Sequence, residues 1–519
     1  MQARVPQGLW HAPTIVASPF HARPVSTPLF SFDNSYALME GMSMPWQPAA
    51  VPAPRWLHLN RNLAGELGLD ADALASDEGL AVFAGNRVPE GATPVAQAYA
   101  GHQFGGFSPQ LGDGRALLLG EVLDARGQRR DIAFKGSGRT PFSRGGDGKA
   151  AVGPVLREVL ISEAMHALGI PTTRSLAAVA TGETVRRERP LPGAILTRVA
   201  ASHIRVGSFQ FFAARNDTDR VRQLAEHAIA RHDPALVGRE DRFLAFYEAV
   251  VQRQAKLVAQ WMSVGFIHGV MNTDNMTVSG ETIDYGPCAF MEAYDPQTVF
   301  SSIDTHGRYA FGNQPGIAQW NLARLAETLL PLFHSDDEQA VAAATRVLDG
   351  FGERFSAHWL NLHRLKLGLR SDGADDEADR TLVNELLQRM HEHRVDFTLG
   401  FRRLSSVLRG APQEWLTLWG DAHAAAGEWL AHWQRRLTAQ GEPAAEVAAR
   451  MDATNPLFIP RNHLVENALD AASESGDLRV FEHLLAIVTD PFTERSEHAP
   501  AALPGTPEQT QGYRTFCGT

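Results

Sequence analysis

The run GFIHGVMNTDNMTVSGETIDYG, from Gly265 to Gly286, holds the residues on which the reading of this chain turns. His268 and Asn275 are seven apart, Asp274 sits beside Asn275, and Asp284 follows within Ile283-Asp284-Tyr285-Gly286. Met276-Thr277-Val278, a turn at Ser279-Gly280 and the run from Ile283 to Tyr285 predict strand, turn and strand. That arrangement brings Asn275 and Asp284 together as hard oxygen ligands of the kind Mg²⁺ takes. The plain alternative is a polar turn in which Asn and Asp satisfy the backbone, and the concurrence of spacing and residue type argues against it.

Working outward toward the N-terminus, two apolar runs, Ala116–Leu123 and Arg130–Lys135, flank Asp124-Ala125-Arg126-Gly127 and predict a hairpin. Lys135 ends the second strand, where an ammonium group can reach into a cleft. A helix is predicted over about 154–168, with Pro154 in its first turn. It offers two carboxylates to pair with Lys135: Glu158, and Glu163, which helical spacing sets nearer the apolar face of Val152, Val155, Leu156 and Val159. A buried carboxylate needs a partner, and pattern alone leaves the choice open. Gly112-Asp113-Gly114-Arg115 and a second glycine-rich loop, GSGRTPFSRGGDGK with Asp147 and Gly148, let backbone N–H groups approach phosphate oxygens. Neither is a Walker A loop, since no G-K-[ST] follows. Arg198 and Arg205, in LTRVAASHIR, have the planar donor fork that suits phosphate.

These parts, a strand lysine, a helix glutamate and an Asn…Asp metal pair, are those that hold ATP in protein kinases. The His268–Asn275 spacing matches the kinase loop H-R-D-x-x-x-x-N, and Asp284-Tyr285-Gly286 takes the place of Asp-Phe-Gly. One departure matters. The kinase catalytic Asp falls on Val270, which cannot accept a hydroxyl proton; Asp274 is the nearest carboxylate. Strands early and helices late predict an α+β fold with a small β-rich N-lobe and a large helical C-lobe. Further expectations are helix over 56–67, from the spacing of Leu59, Leu63 and Leu67, a structured loop over 100–114, and continuous helix over 414–437.

The 519 residues allow two or more core-forming units. An expected division is a proline-rich disordered arm over 1–30, an N-lobe over 31–205, a helical C-lobe over 206–488 and a tail over 489–519 ending near Cys517. A net charge of −11 argues against a nucleic-acid binder. With only Cys288 and Cys517, the chain is neither a disulfide scaffold nor a multi-cysteine zinc module. No apolar run is long enough for a membrane span, and no secretory signal is evident. The expectation is a cytoplasmic protein.

The runs HQFG, QLGDGR, FKGSGRTPFSRGGDG, SEAMHALGIPTTR, HGVMNTDNM and DYGPCAFME are similar to those of the selenoprotein O (YdiU-type) pseudokinases, from about Phe32 to the C-terminus. The resemblance implies a kinase-like fold that binds ATP inverted and transfers AMP to Ser, Thr or Tyr hydroxyls of other proteins. It implies nucleotide contacts at Gly112, Gly114, Arg115, Lys135, Asp147, Gly148, Arg198, Arg205 and Asp284. Asp274 matches the proton acceptor, and Asn275 and Asp284 the ligands of Mg²⁺, with Mn²⁺ as the alternative. The Lys–Glu pair falls on Lys135 and Glu158. UMP transfer has also been associated with the family. Cys517 matches a position where some relatives carry selenocysteine; their redox partner lies near Phe300-Ser301 here, so a redox pair would require Cys288 in its stead. Two other readings stand beside this one: a conventional phosphotransferase using Asp274 as base, and an inactive nucleotide-binding scaffold.

Overall fold

Strand and turn signals in the N-terminal half resolve into one antiparallel sheet in the computed structural model, which describes residues 28–370 and 376–516. In chain order its strands are β1 (Ser43–Pro45), β2 (Arg55–Leu59) and β3 (Val95–Gln97). A separate small hairpin follows, β4 (Gly101–Gln103) and β5 (Gly106–Ser108). The sheet then resumes with β6 (Ala116–Leu123), β7 (Arg129–Lys135), β8 (Ala150–Ala151), β9 (Arg174–Arg186) and β10 (Pro190–Ala200). Across the sheet the order is β1-β3-β6-β7-β10-β9-β2, with β8 on β10.

The β6–β7 hairpin is centred where Asp124 predicts it. The Asp124 carboxylate accepts the Arg126 and Gln128 amides at 2.9 Å each, and Gly127 takes the left-handed backbone the turn requires. On β10, Leu196 pairs with Lys135 and Arg198 with Ala133. The two-residue period therefore turns Lys135 and Arg198 to the same face.

The helices of the N-terminal half are α1 (Arg61–Glu66), α2 (Ala71–Leu74), α3 (Asp77–Phe83) and α4 (Val152–Ala167). Helix α4 packs on β9 and β10 and is buried nearly all round, Glu158 and Glu163 included. After the sheet come α5 (Val206–Ala213), α6 (Thr218–His232), α7 (Arg242–Ser263) and α8 (Gln314–Phe333), then further helices to the end of the described chain. The fold is thus mixed α+β, with sheet early and helix late. Among the described residues no helix is long and apolar enough to cross a membrane.

Three expectations need correction. The spacing of Leu59, Leu63 and Leu67 does not mark one helix: Trp56 to Leu59 lies in β2 on the edge of the sheet, and α1 starts only after Asn60. Asn60 caps it by accepting the Leu63 amide at 3.0 Å. The 414–437 helix is broken at Gly420 (φ 52°, ψ −124°) into helices Gln413–Leu416 and His423–Thr438. The break lets Trp415, Trp429 and Trp433 pack in one core, each indole N–H donating to a backbone carbonyl. Finally, the segments around Thr277 and Thr282 do not pair with each other. Thr277 bridges to Arg205 and Thr282 to Thr172, while the local two-stranded pairing joins β11 (Phe266–Ile267) to β12 (Ala289–Phe290).

Residues 1–27 of the expected arm and Cys517 lie outside the described residues. Phe30, at the expected end of the arm, is buried against Phe32 and Phe83.

Candidate active site

Asp284 is the centre of the polar cluster between sheet and helices. Its Oδ1 accepts from Lys135 Nζ and from an Arg198 Nη, each at 2.8 Å, and its Oδ2 from Arg205 at 3.3 Å. Lys135 also reaches Glu158 at 2.5 Å, and Arg198 reaches the other Glu158 oxygen at 3.2 Å. Three cations and two carboxylates thus form one buried network. Burial alone would raise the Asp284 carboxyl; Lys135, then Arg198 and Arg205, outweigh it and hold Asp284 well below the usual carboxylate range. Asp284 sits at φ 62°, a left-handed backbone uncommon outside glycine. Strain of that kind persists where surrounding contacts fix it, and the three cations are such contacts here.

The choice between the two α4 carboxylates is answered by geometry. Glu163 points the other way, accepting from Arg174 at 2.8–2.9 Å and from Asn60 at 2.8 Å. The Glu of the cluster is Glu158.

A cleft of about 820 Å³ opens above this network. Gly112, Gly114, Arg115, Lys135, Asp147, Gly148, Arg198, Arg205, Asp274, Asn275 and Asp284 all line it, and so does Val270. Gly112 has φ +68°, and a Cβ there would fall 2.3 Å from the Phe142 ring. Gly148 has φ +69°, and a Cβ there would fall 2.1 Å from the Gly138 carbonyl oxygen, which closes the second loop on itself. Asp147 is anchored by both Arg187 Nη atoms and by the Lys149 amide, and these bonds lower its carboxyl, that with Arg187 most.

Asp274 and Asn275 form a 3-10 turn at the far wall. Burial pushes the Asp274 carboxyl up to about 6 against the opposing pull of Arg205. Its Oδ2 accepts from Gln103 at 3.3 Å, while its Oδ1 is buried without a hydrogen-bond partner. Asn275 donates its amide nitrogen to the Val270 carbonyl at 3.0 Å, which leaves its side-chain oxygen outside that bond. Cys288 lies outside the cleft lining, buried with its Sγ 3.3 Å from the Tyr285 carbonyl.

Comparisons with known proteins bear on the chain as a whole. The family model described as protein adenylyltransferase SelO matches residues 35–489. The chain belongs to this family. A protein nucleotidyltransferase YdiU of Cereibacter sphaeroides is 62% identical over 494 residues, covering 94% of this chain and all of that protein. Relatives of the same description from Rhizobium etli and Chromobacterium violaceum are each 57% identical, covering 94% and 92% of this chain and 97% and 99% of their own lengths. The protein is accordingly a protein nucleotidyltransferase of the SelO family.

Some residues of the family's cleft escape a reading of sequence. Tyr99, whose ring lies 4.5 Å beneath the Arg205 guanidinium, Gln103 beside Asp274, and Asn272, which accepts from Tyr309 at 2.6 Å, all face or support it. Gln103 sits in the stretch read as a loop, where nothing in the residue types signals a partner 171 positions away, and the partners of Tyr99 and Asn272 are likewise set by the fold.

Proposed function

We propose that the cleft binds ATP and transfers its AMP to Ser, Thr or Tyr hydroxyls of other proteins, on a kinase-like bilobal fold with the nucleotide inverted relative to ordinary kinases. The observation that carries this reading is the convergence of Lys135, Arg198 and Arg205 on Asp284, opposite Asp274 and beneath two glycine-bearing loops. Three fixed cations in a partly dry site can neutralise phosphate charge without reorganising during the reaction. The loops add backbone N–H donors around Gly112, Gly114 and Gly148, next to Arg115 and Asp147.

Asn275 and Asp284 are the pair that would hold Mg²⁺ or Mn²⁺. Two protein oxygens fit such an ion, which is commonly held by one or two carboxylates together with substrate phosphates. Among the described residues no cluster of three or more acidic, histidine or cysteine side chains offers a closed cage. The bound ion would supply charge neutralisation at phosphate oxygens.

The chain's own groups divide the remaining work. Asp274, raised by burial, takes the proton of the acceptor hydroxyl as its oxygen bonds to the α-phosphorus. The bond from the α-phosphorus to the bridging oxygen breaks, and pyrophosphate leaves toward the cationic side of Lys135, Arg198 and Arg205. With the α-phosphate facing the acceptor, a carboxylate at position 270 has no proton to take, and valine is tolerated there.

ATP labelled at either the α- or the γ-phosphate tests the reading. Label retained on protein from the α position alone is the expected result. Retention from γ alone makes the protein a phosphotransferase, and retention from neither makes it a nucleotide-binding scaffold. Asp284→Ala is expected to abolish α-label transfer. The same assay with UTP decides whether UMP transfer accompanies AMP transfer.

A further inference from the structure

The hairpin β4–β5 stands at the mouth of the cleft, and its tip is unusual. Phe104 adopts φ +52°, a backbone that bulky side chains rarely take. It is held there by its own amide, which donates to Asn272 Oδ1 at 3.1 Å and to the Tyr309 hydroxyl at 3.2 Å. Phe104 is left 39% exposed, and Phe107 on β5 is exposed too. The Phe104 ring packs on one side against Tyr309, centroids 5.2 Å apart, and leaves its other side open at the mouth of the cleft, where an apolar group can meet it.

A second groove, of about 610 Å³, begins at that ring. It runs along the segment from Ile303 to Ile317 and shares Phe104 and Ile303 with the larger cleft, so the two adjoin. Ile303 is 51% exposed. Arg308 lines the groove, with its guanidinium 4.9 Å over the Trp320 ring and its Nε lacking a hydrogen-bond partner. Asp304, the carboxylate nearest in sequence, is committed to the Arg308 and Tyr309 amides at 2.9 and 2.8 Å. Among the described residues no carboxylate lies within ion-pair distance of that guanidinium. The guanidinium lies beside the hairpin tip, where a Cβ on Gly105 would fall 3.7 Å from it, so apolar side chains and a cation stand together at the end joining the cleft.

We propose that this groove seats the acceptor protein as an extended segment, with an apolar side chain against Phe104 and Ile303 and a carboxylate on Arg308. That seating directs the hydroxyl along the shared wall toward Asp274. The hairpin contributes to both acceptor docking and proton transfer, since Phe104 faces the acceptor while Gln103, next to it, holds the Asp274 carboxylate. The inference rests on the nucleotidyl-transfer reading above and names the acceptor class for that same site.

Binding tests it separately from the chemistry. Two short fluorescein-labelled peptides centred on one serine are titrated by anisotropy onto the full chain saturated with Mg²⁺ and a non-hydrolysable ATP analogue. One carries leucine and glutamate on both sides of the serine, the other leucine and lysine. The acidic peptide is expected to bind tighter by about tenfold, as a charge pair at a partly desolvated site allows. Arg308→Glu is expected to remove or reverse that preference. Ile303→Ser, at an exposed position that leaves folding alone, is expected to weaken both peptides. Equal binding of the two peptides to the parent protein, or an unchanged preference in Arg308→Glu, overturns the proposal. Should Arg308→Glu fail to fold, undiminished binding in Ile303→Ser overturns it alone. Peptide preference without α-label transfer would sink the chemistry and leave the groove standing; transfer without preference would do the reverse.

Discussion

Lys135 shows how far a single position can be read. Its place at the end of an apolar strand marks it as a group aimed at a cleft, and the structure gives it two carboxylate neighbours, Glu158 and Asp284. Lys135→Ala is expected to lower nucleotide transfer by about a hundredfold or more, the scale seen when one fixed donor to a transition-state charge is removed. Arg198 still spans Glu158 and Asp284 in that variant, so thermal unfolding should move little. A loss of folding instead of activity would recast Lys135 as structural. Glu281 carries a second prediction. Burial raises its carboxyl from 4.5 to about 7 despite the Ala201 amide it accepts. The native state therefore keeps a proton that the unfolded chain releases, and stability falls as pH rises from about 4.5 to about 7. Glu281→Gln should melt above the parent at about pH 8 and level with it at about pH 4, so the same gap at both pH values would refute the assignment. Asp274, Asn275 and Asp284 were legible because chemistry and spacing coincide in one short run. Glu158 against Glu163 was not, because both face a crowded interior and only the register of α4 on the sheet separates them.

At the scale of elements, strands bounded by turn chemistry were readable and those decided by tertiary pairing were not. The β6–β7 hairpin follows from Asp124 and Gly127 within its own turn. Strand β2 follows from its pairing with β9, far away in sequence, which overrode a leucine spacing of helical type. The helical break at Gly420 likewise serves the packing of Trp415 against Trp429, a contact no local propensity reports. Close approach between elements gives a sharper test. A Cβ on Gly207 in α5 would lie 2.2 Å from the Ala100 carbonyl oxygen and 3.4 Å from the Asp274 Cα. Gly207→Ala must push α5 away from β4 and disturb Asp274, at a cost of about 1–3 kcal/mol for overpacking. Denaturant titration should show that loss, and transfer activity should fall with it. An active, fully stable variant would mean that these elements approach less tightly than described.

Across the whole molecule, the last described residues are tied to its centre. Thr515 bridges Ser301, its amide donating to the Phe300 carbonyl at 2.8 Å and its hydroxyl to the Pro287 carbonyl at 2.6 Å. Tyr513 donates to Glu466 at 2.6 Å, and Glu466 pairs with Arg157, the residue before Glu158 on α4. Removing residues from Gly512 onward is expected to speed amide exchange at Ser302, whose amide donates to the Thr515 carbonyl at 2.9 Å, while leaving the tryptophan core of the helical part protected. Unchanged exchange there would show that the tail is not what orders the segment after Asp284. The cluster at Asp284 has a consequence on this same scale. Lys135 and Arg198 come from the sheet and Asp284 from the helical half, so without a ligand these ion pairs act as a clasp between the two. In the proposed reading, a triphosphate arriving with a divalent ion would claim both sides of that clasp. Loading is then an exchange of partners rather than the filling of a hole, and the bare ion, facing three cations, should bind poorly by calorimetry until the nucleotide accompanies it.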